Sequence, residues 1–144
     1  MILLKPRNPK FKKQQRGKFR RHQNDKLQYG VIGVVALTNF WFSSNQMEAC
    51  RKTILRYTKR VGRIYLKTFP DKPISQRTEG SRMGTGKGST SYWVMPIRRG
   101  KVLFELRNVS VEVARKAFNQ LRFKIPTKII LYEKNWNNIK QTKI

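Results

Sequence analysis

The sequence predicts one α+β domain, a mostly antiparallel sheet packed by two helices, with a basic extended N-terminal arm and a long glycine-rich loop. Three observations carry this. Apolar residues recur at helical spacing over 47–61 and 113–121. Short β-branched or aromatic runs, bounded by turn residues, lie before, between and after them. A length of 144 residues suits a single modest core.

The arm comes first. Residues 1–24 carry nine Lys or Arg and no acid: Lys5, Arg7, Lys10, Lys12, Lys13, Arg16, Lys18, Arg20 and Arg21. Phe11 and Phe19 are interleaved. Such a segment cannot bury enough apolar surface to fold alone, and it is expected to order on a phosphate backbone. The domain proper spans 25–132, and a polar tail occupies 133–144.

Residues 29–42, "YGVIGVVALTNFWF", read as one or two buried strands. Ser43 with Gln46 three residues on is a capping box that opens a helix. Met47, Cys50, Ile54, Tyr57 and Val61 form its inward stripe, and Gly62 is expected to stop it. Arg51, Lys52, Arg56, Lys59 and Arg60 lie mostly off that stripe. Glu48 is the only acid in the helix, so pairing along it should not explain the basic face, and part of that face is expected to meet phosphate.

"RIYLKTF" (63–69) alternates as a strand with one basic face, and "PDKP" (70–73) breaks it. Residues 75–91 read as one long polar loop; loops of that length in a compact domain are usually functional. "YWVMPI" (92–97) and "KVLFEL" (101–106) flank "RRG" as a hairpin, with Pro96 at an edge or bulge. Ser110 caps a second helix that turns Val113, Ala114, Ala117, Phe118 and Leu121 inward. "TKIILYE" (127–133) is the last strand.

Charge dominates the functional reading. Lys plus Arg number 33 against 7 acids, a net +26. That field binds polyanions, so nucleic acid is the expected partner. A membrane is not: the longest apolar run, Val31 to Leu37, is too short to span, and the cations are spread over the whole chain. One cysteine and one histidine exclude an internal disulfide and a Cys- or His-based metal cluster, so no metal or other cofactor is expected. The start, "MILLKPRNP", is basic like a transit peptide but lacks serine, and its prolines oppose an amphipathic helix.

The loop segment "RMGTGKGST" (82–90) invites a nucleotide-binding reading and fails it. A phosphate-binding G-x-x-x-x-G-K-[ST] loop needs glycine where Ser81 stands and Ser or Thr where Gly88 stands. The dinucleotide pattern begins at Gly84 and Gly86 but reaches Ser89, and a strand follows where a helix is required. The seven acids form no D-x-D, E-x-x-E or H-x-E pattern. His22 has no nearby acid to orient it, and Cys50 falls on the inward stripe. The chain is read as not an enzyme, with no small-molecule substrate.

Six stretches carry a family resemblance: "PKFKKQQRGKFR" (9–20), "NQMEACRKTILRYTKRVGRIYLKTFPDKPI" (45–74), "RMGTGKGSTSYWV" (82–94), "GKVLFEL" (100–106), "VARKAF" (113–118) and "KIPTKI" (124–129). In this order they resemble the bacterial-type large-subunit ribosomal protein sixteen family. The resemblance implies an α+β fold with a hammerhead-like β motif. It implies a structural role in the large ribosomal subunit, contact with large-subunit rRNA and neighbouring ribosomal proteins, and a glycine-rich loop near the aminoacyl-site tRNA and the peptidyl-transferase centre. On that likeness Arg82, Met83, Gly84, Thr85, Gly86, Lys87 and Gly88 are the loop nearest tRNA and rRNA. Lys10, Lys12, Lys13, Arg16, Lys18, Arg20 and Arg21 would thread between rRNA helices.

Thr85 departs from the Lys or Ser that members often carry, and the tail exceeds the usual family ending. Richness in Asn, Ile and Lys fits an AT-rich genome and points to an organellar ribosome, the mitochondrion first, with a plastid or a bacterial cytoplasm as alternatives. The rival reading is a basic DNA-binding protein of the nucleoid type, which charge alone allows but for which no helix-turn-helix or minor-groove arm is evident.

Overall fold

The computed structural model describes residues 4–19 and 22–134. Arg20, Arg21 and the tail beyond 134, about which the sequence raised expectations, lie outside the described residues. The chain order is β1 (Ile32–Ala36), β2 (Phe40–Ser43), α1 (Ser44–Tyr57), β3 (Arg63–Leu66), β4 (Lys72–Gln76), β5 (Ser89–Ile97), β6 (Val102–Arg107), α2 (Val111–Leu121) and β7 (Ile129–Glu133). This is the expected α+β class. The expected single sheet, however, is two: β3-β6-β1-β7 and β2-β5-β4, with every neighbouring pair antiparallel.

The two sheets share a bent ribbon. β1 pairs β6 and β2 pairs β5, and Val35↔Val102 and Phe40↔Ile97 keep one register on both sides of the bend. The hairpin expected from "YWVMPI" and "KVLFEL" is therefore corrected: β5 and β6 are successive halves of one ribbon strand and sit in different sheets. The turn at Arg98–Lys101 bends the strand without reversing it, because it is tied sideways to β1 and β2. Gly100, at φ 85°, donates its N–H to Ala36 C=O at 2.8 Å, and Asn39 Oδ1 accepts the Arg99 N–H at 2.8 Å. Pro96 lies beyond the last β4–β5 pair, Lys72↔Val94, so its stretch of β5 is flanked by β2 alone and its missing N–H costs no bond to β4.

The capping box is present as expected: the Gln46 N–H donates to Ser43 Oγ, and the Ser43 N–H donates to Gln46 Oε1. Met47, Cys50 and Ile54 are buried, but α1 ends at Tyr57, and Val61 is 80% exposed instead of closing the stripe. The helix stops in a Schellman motif before Gly62 is reached. The Lys59 N–H donates to Arg56 C=O at 3.4 Å and the Arg60 N–H to Leu55 C=O at 3.3 Å, with Lys59 and Arg60 at φ 47° and 64°. Gly62 serves a different purpose: a Cβ there would fall 2.1 Å from Val109 Cγ2, where the α1 exit meets the α2 entrance.

α2 packs on α1 and buries Ala114, Ala117 and Leu121. Ser110 holds the N-cap position without a side-chain cap bond. Phe42 and Phe104, one from each half of the ribbon, meet edge-to-face at 6.1 Å in the centre of the core. Each such buried ring contributes about 2–3 kcal/mol by area removed from water.

The link from arm to domain is fixed by Glu105. Its side chain is wholly buried, and its carboxylate accepts the backbone N–H groups of Gln28, Tyr29 and Gly30 at 2.7–3.3 Å. Lys67 Nζ lies 3.8 Å away. Burial pushes this carboxyl up, but the three N–H bonds and Lys67 outweigh it and hold it below the usual carboxylate range. The arm thus enters the fold at a defined point on the outer face of the larger sheet.

Candidate nucleic-acid interface

The expected loop over 75–91 is shorter in the structure. β4 continues to Gln76 and β5 begins at Ser89, leaving residues 77–88 as the tip of a β4–β5 hairpin. Gly84 and Gly86 sit at φ 84° and 76° in open space, so left-handed backbone, not crowding, demands them. Gly88 is the reverse case: a Cβ there would stand 2.2 Å from Gln76 C=O, where the two strands close. Each of the three glycines thus first serves the hairpin itself.

Inside the tip, Thr85 Oγ1 donates to Arg82 C=O at 2.7 Å, and Arg77 donates to Ser81 C=O at 2.6 Å. Met83 is 90% exposed, and Arg82 and Lys87 are exposed beside it.

The structure brings this loop and part of the arm together. Lys13 Nζ donates to Lys87 C=O at 2.5 Å, and Lys87 Nζ returns a bond to Gln14 C=O at 2.5 Å. Thr90 Oγ1 donates to Lys12 C=O at 2.5 Å, and Lys72 Nζ donates to Arg16 C=O. Lys10 and Lys18 are exposed on either side. Every acceptor in this clasp is a neutral carbonyl. The bonds fix geometry and leave the positive charges uncancelled.

Two acids lie close by: Glu79 is exposed within the loop and Asp71 is exposed just before Lys72. The ion-paired acids are elsewhere. Among the described residues, Glu48, Glu105, Asp25 and Glu133 form ion pairs, and each pairs within the body of the domain. No arm or loop cation joins an ion pair among the described residues.

The basic face of α1 divides in two. Arg51 donates to Glu48 at 2.6 and 2.8 Å, and Lys52 Nζ stands 3.9 Å from the same carboxylate. Arg51's hydrogen bonds hold the Glu48 carboxyl below its usual range. The expectation that helix pairing explains none of this face is therefore corrected, because one carboxylate serves two cations. Arg56, Lys59 and Arg60, at the far end, are exposed and join no ion pair among the described residues.

Sequence reasoning missed Lys72 and Arg77. Lys72 lies in "PDKP", which reads as a strand break, and its contact with the arm is long-range. The only local signal was the positive charge itself.

Catalytic chemistry finds little footing. Burial pushes the Cys50 thiol up to about 12, so it stays protonated at neutral pH. Among the described residues, no three His, Cys, Asp or Glu side chains gather as a metal site, and no helix is long and apolar enough to cross a membrane.

The family model for Ribosomal protein L16p/L10e matches residues 6–131, which takes in the clasp, the hairpin and both helices. The chain belongs to this family. It is 42% identical over 128 residues to the large ribosomal subunit protein uL16 of Trichodesmium erythraeum, covering 88% of this chain and 93% of that one. It is also 42% identical over 128 residues to the uL16c protein of Thalassiosira pseudonana, with the same coverage. The uL16c protein of Oedogonium cardiacum is 37% identical over 132 residues, covering 89% of this chain and 96% of its own. Membership in L16p/L10e makes the chain a ribosomal protein with a structural role in the large subunit. The family is one of ribosomal structural proteins, not of enzymes.

Proposed function

We propose that this L16p/L10e member binds large-subunit rRNA through its arm, its loop clasp and the exit turn of α1, and shapes the path of the aminoacyl-site tRNA with the tip Arg82–Gly88. The reciprocal Lys13–Lys87 clasp carries the reading. It holds two cationic segments side by side with only neutral acceptors, as a site for a polymeric anion requires. Lys and Arg would neutralise phosphates and release counterions, and RNA shape would be read over most of the surface. Neighbouring ribosomal proteins would meet the remaining faces.

The test is a cell whose only copy carries Arg82→Ala with Lys87→Ala. The variant should fold normally and sediment with large subunits, while elongation slows at tRNA accommodation. Wild-type polysomes and elongation rates would sink the tip's role. The compartment proposed is an organellar ribosome, the mitochondrion first. This rests on composition alone, since the relatives named above are cyanobacterial and plastid-type. Sedimentation of the protein with plastid or bacterial large subunits would move the compartment and leave the role intact.

A further inference from the structure

The outer face of the smaller sheet holds a cleft that the arm, the loop tip and the basic face of α1 do not use. Its volume is about 550 Å³. Val94 forms its floor, Trp41 and Tyr92 its two ends, and Asn45 and Ser91 part of its rim. The pleat explains the grouping. Trp41 pairs with Pro96, and Pro96, Val94 and Tyr92 alternate along β5, so all point to one face. Tyr92 is 44% exposed. Lys72 Nζ stands 5.5 Å from the Trp41 ring centroid and donates to the neutral Arg16 carbonyl, which places an uncancelled charge beside the cleft. Among the described residues, no carboxylate lines it.

Tyr92 and Pro96, the partner of Trp41, are four positions apart on β5, which sets the backbone positions bearing the two rings about 13 Å apart along the sheet. Rings so spaced do not clamp one base. Each offers a platform to a different base, and the exposed Asn45 amide can meet a base edge. An apolar peptide side chain would offer the exposed Asn45 amide no hydrogen-bond partner and gain nothing from Lys72. We propose that this cleft takes a short unpaired stretch of RNA, with bases stacking on Tyr92 and Trp41 and the backbone passing Lys72. The inference rests on the RNA-binding reading above and adds a base-contacting site to a surface otherwise read as contacting phosphates.

Fluorescence anisotropy of the full chain tests it, with single-stranded oligoadenylate and an RNA duplex of equal length as probes. Tyr92→Leu and Trp41→Leu should each weaken single-strand binding about tenfold and leave duplex binding unchanged. Tyr92→Phe, which keeps the ring, should bind as wild type does. Unchanged single-strand binding in both leucine variants, or equal losses on both probes, overturns the cleft while the RNA-binding reading stands. A wild-type chain that binds neither probe removes both. Should the leucine variants fail to fold, photocrosslinking in intact subunits decides: an RNA adduct on Tyr92 or Trp41 supports the cleft, and a protein adduct there overturns it.

Discussion

The body of this domain and its arm–loop clasp treat charge in opposite ways. In the body, a buried carboxylate is surrounded by three backbone N–H groups and a lysine. In the clasp, lysines bond only carbonyls. A chain of +26 with 7 acids cannot neutralise itself everywhere. Its ion-paired anions sit in the body, where they hold the fold, and none of them pairs with a cation of the clasp. The same group of interactions, hydrogen bonds to charged atoms, therefore stabilises in one region and only orients in the other.

The strongest way to break this comparison is Glu105→Gln. The amide keeps the shape but loses the charge that three N–H groups and Lys67 share, and unfolding free energy should fall by about 3 kcal/mol. RNA affinity of the folded variant should hardly change. The pH dependence has a fixed sign. Glu105 is held below its usual range in the fold, so its contribution is complete above the unfolded carboxyl pKa and is lost as pH falls through the folded value. Denaturant titrations at neutral and acid pH should show the wild type losing stability on acidification, with a smaller loss in the variant. Equal pH slopes would mean that Glu105 is not the anchor.

A smaller effect, of opposite kind, is expected in the clasp. Lys13→Ala and Lys87→Ala should each lower rRNA affinity about tenfold and reduce the salt slope by about one phosphate's share. Each should alter stability by less than about 0.5 kcal/mol. If the clasp pre-organises arm and loop, the double variant should lose less than the product of the singles. Independent losses would mean two separate phosphate contacts and no clasp.

Much of this was legible in sequence, and the misses share a cause. The Ser43–Gln46 capping box, the Met47–Cys50–Ile54 stripe and the inward face of α2 are set by neighbours within a turn of helix, which a sequence displays. The division into two sheets was not legible. "RRG" between two apolar runs looks like a hairpin turn, and only the distant Ala36 and Asn39, which tie it sideways, make it a bend. The arm's cations were visible, but their docking on the loop depends on carbonyl acceptors some 74 residues away, which composition cannot reveal. Glu48 serving both Arg51 and Lys52 could have been foreseen, since the spacings are i+3 and i+4.

The exit of α1 gives the smallest effect and the sharpest test of the comparison. A Schellman motif favours glycine at the position Lys59 holds, and Arg60 follows in the same left-handed region. Left-handed backbone costs a non-glycine residue about 1–2 kcal/mol, part of which glycine gives back through its freer unfolded chain. Lys59→Gly should therefore stabilise the fold by about 0.5–1 kcal/mol and raise the unfolding midpoint by a few degrees. If the turn belongs with the clasp rather than the body, the same change should weaken rRNA binding and lessen its salt dependence. Lys59→Asn, which tolerates this backbone and is also neutral, should bind as weakly as the glycine variant. A stabilised Lys59→Gly with undiminished affinity would assign the turn to the body, and its strain would then have no counterpart in RNA contact.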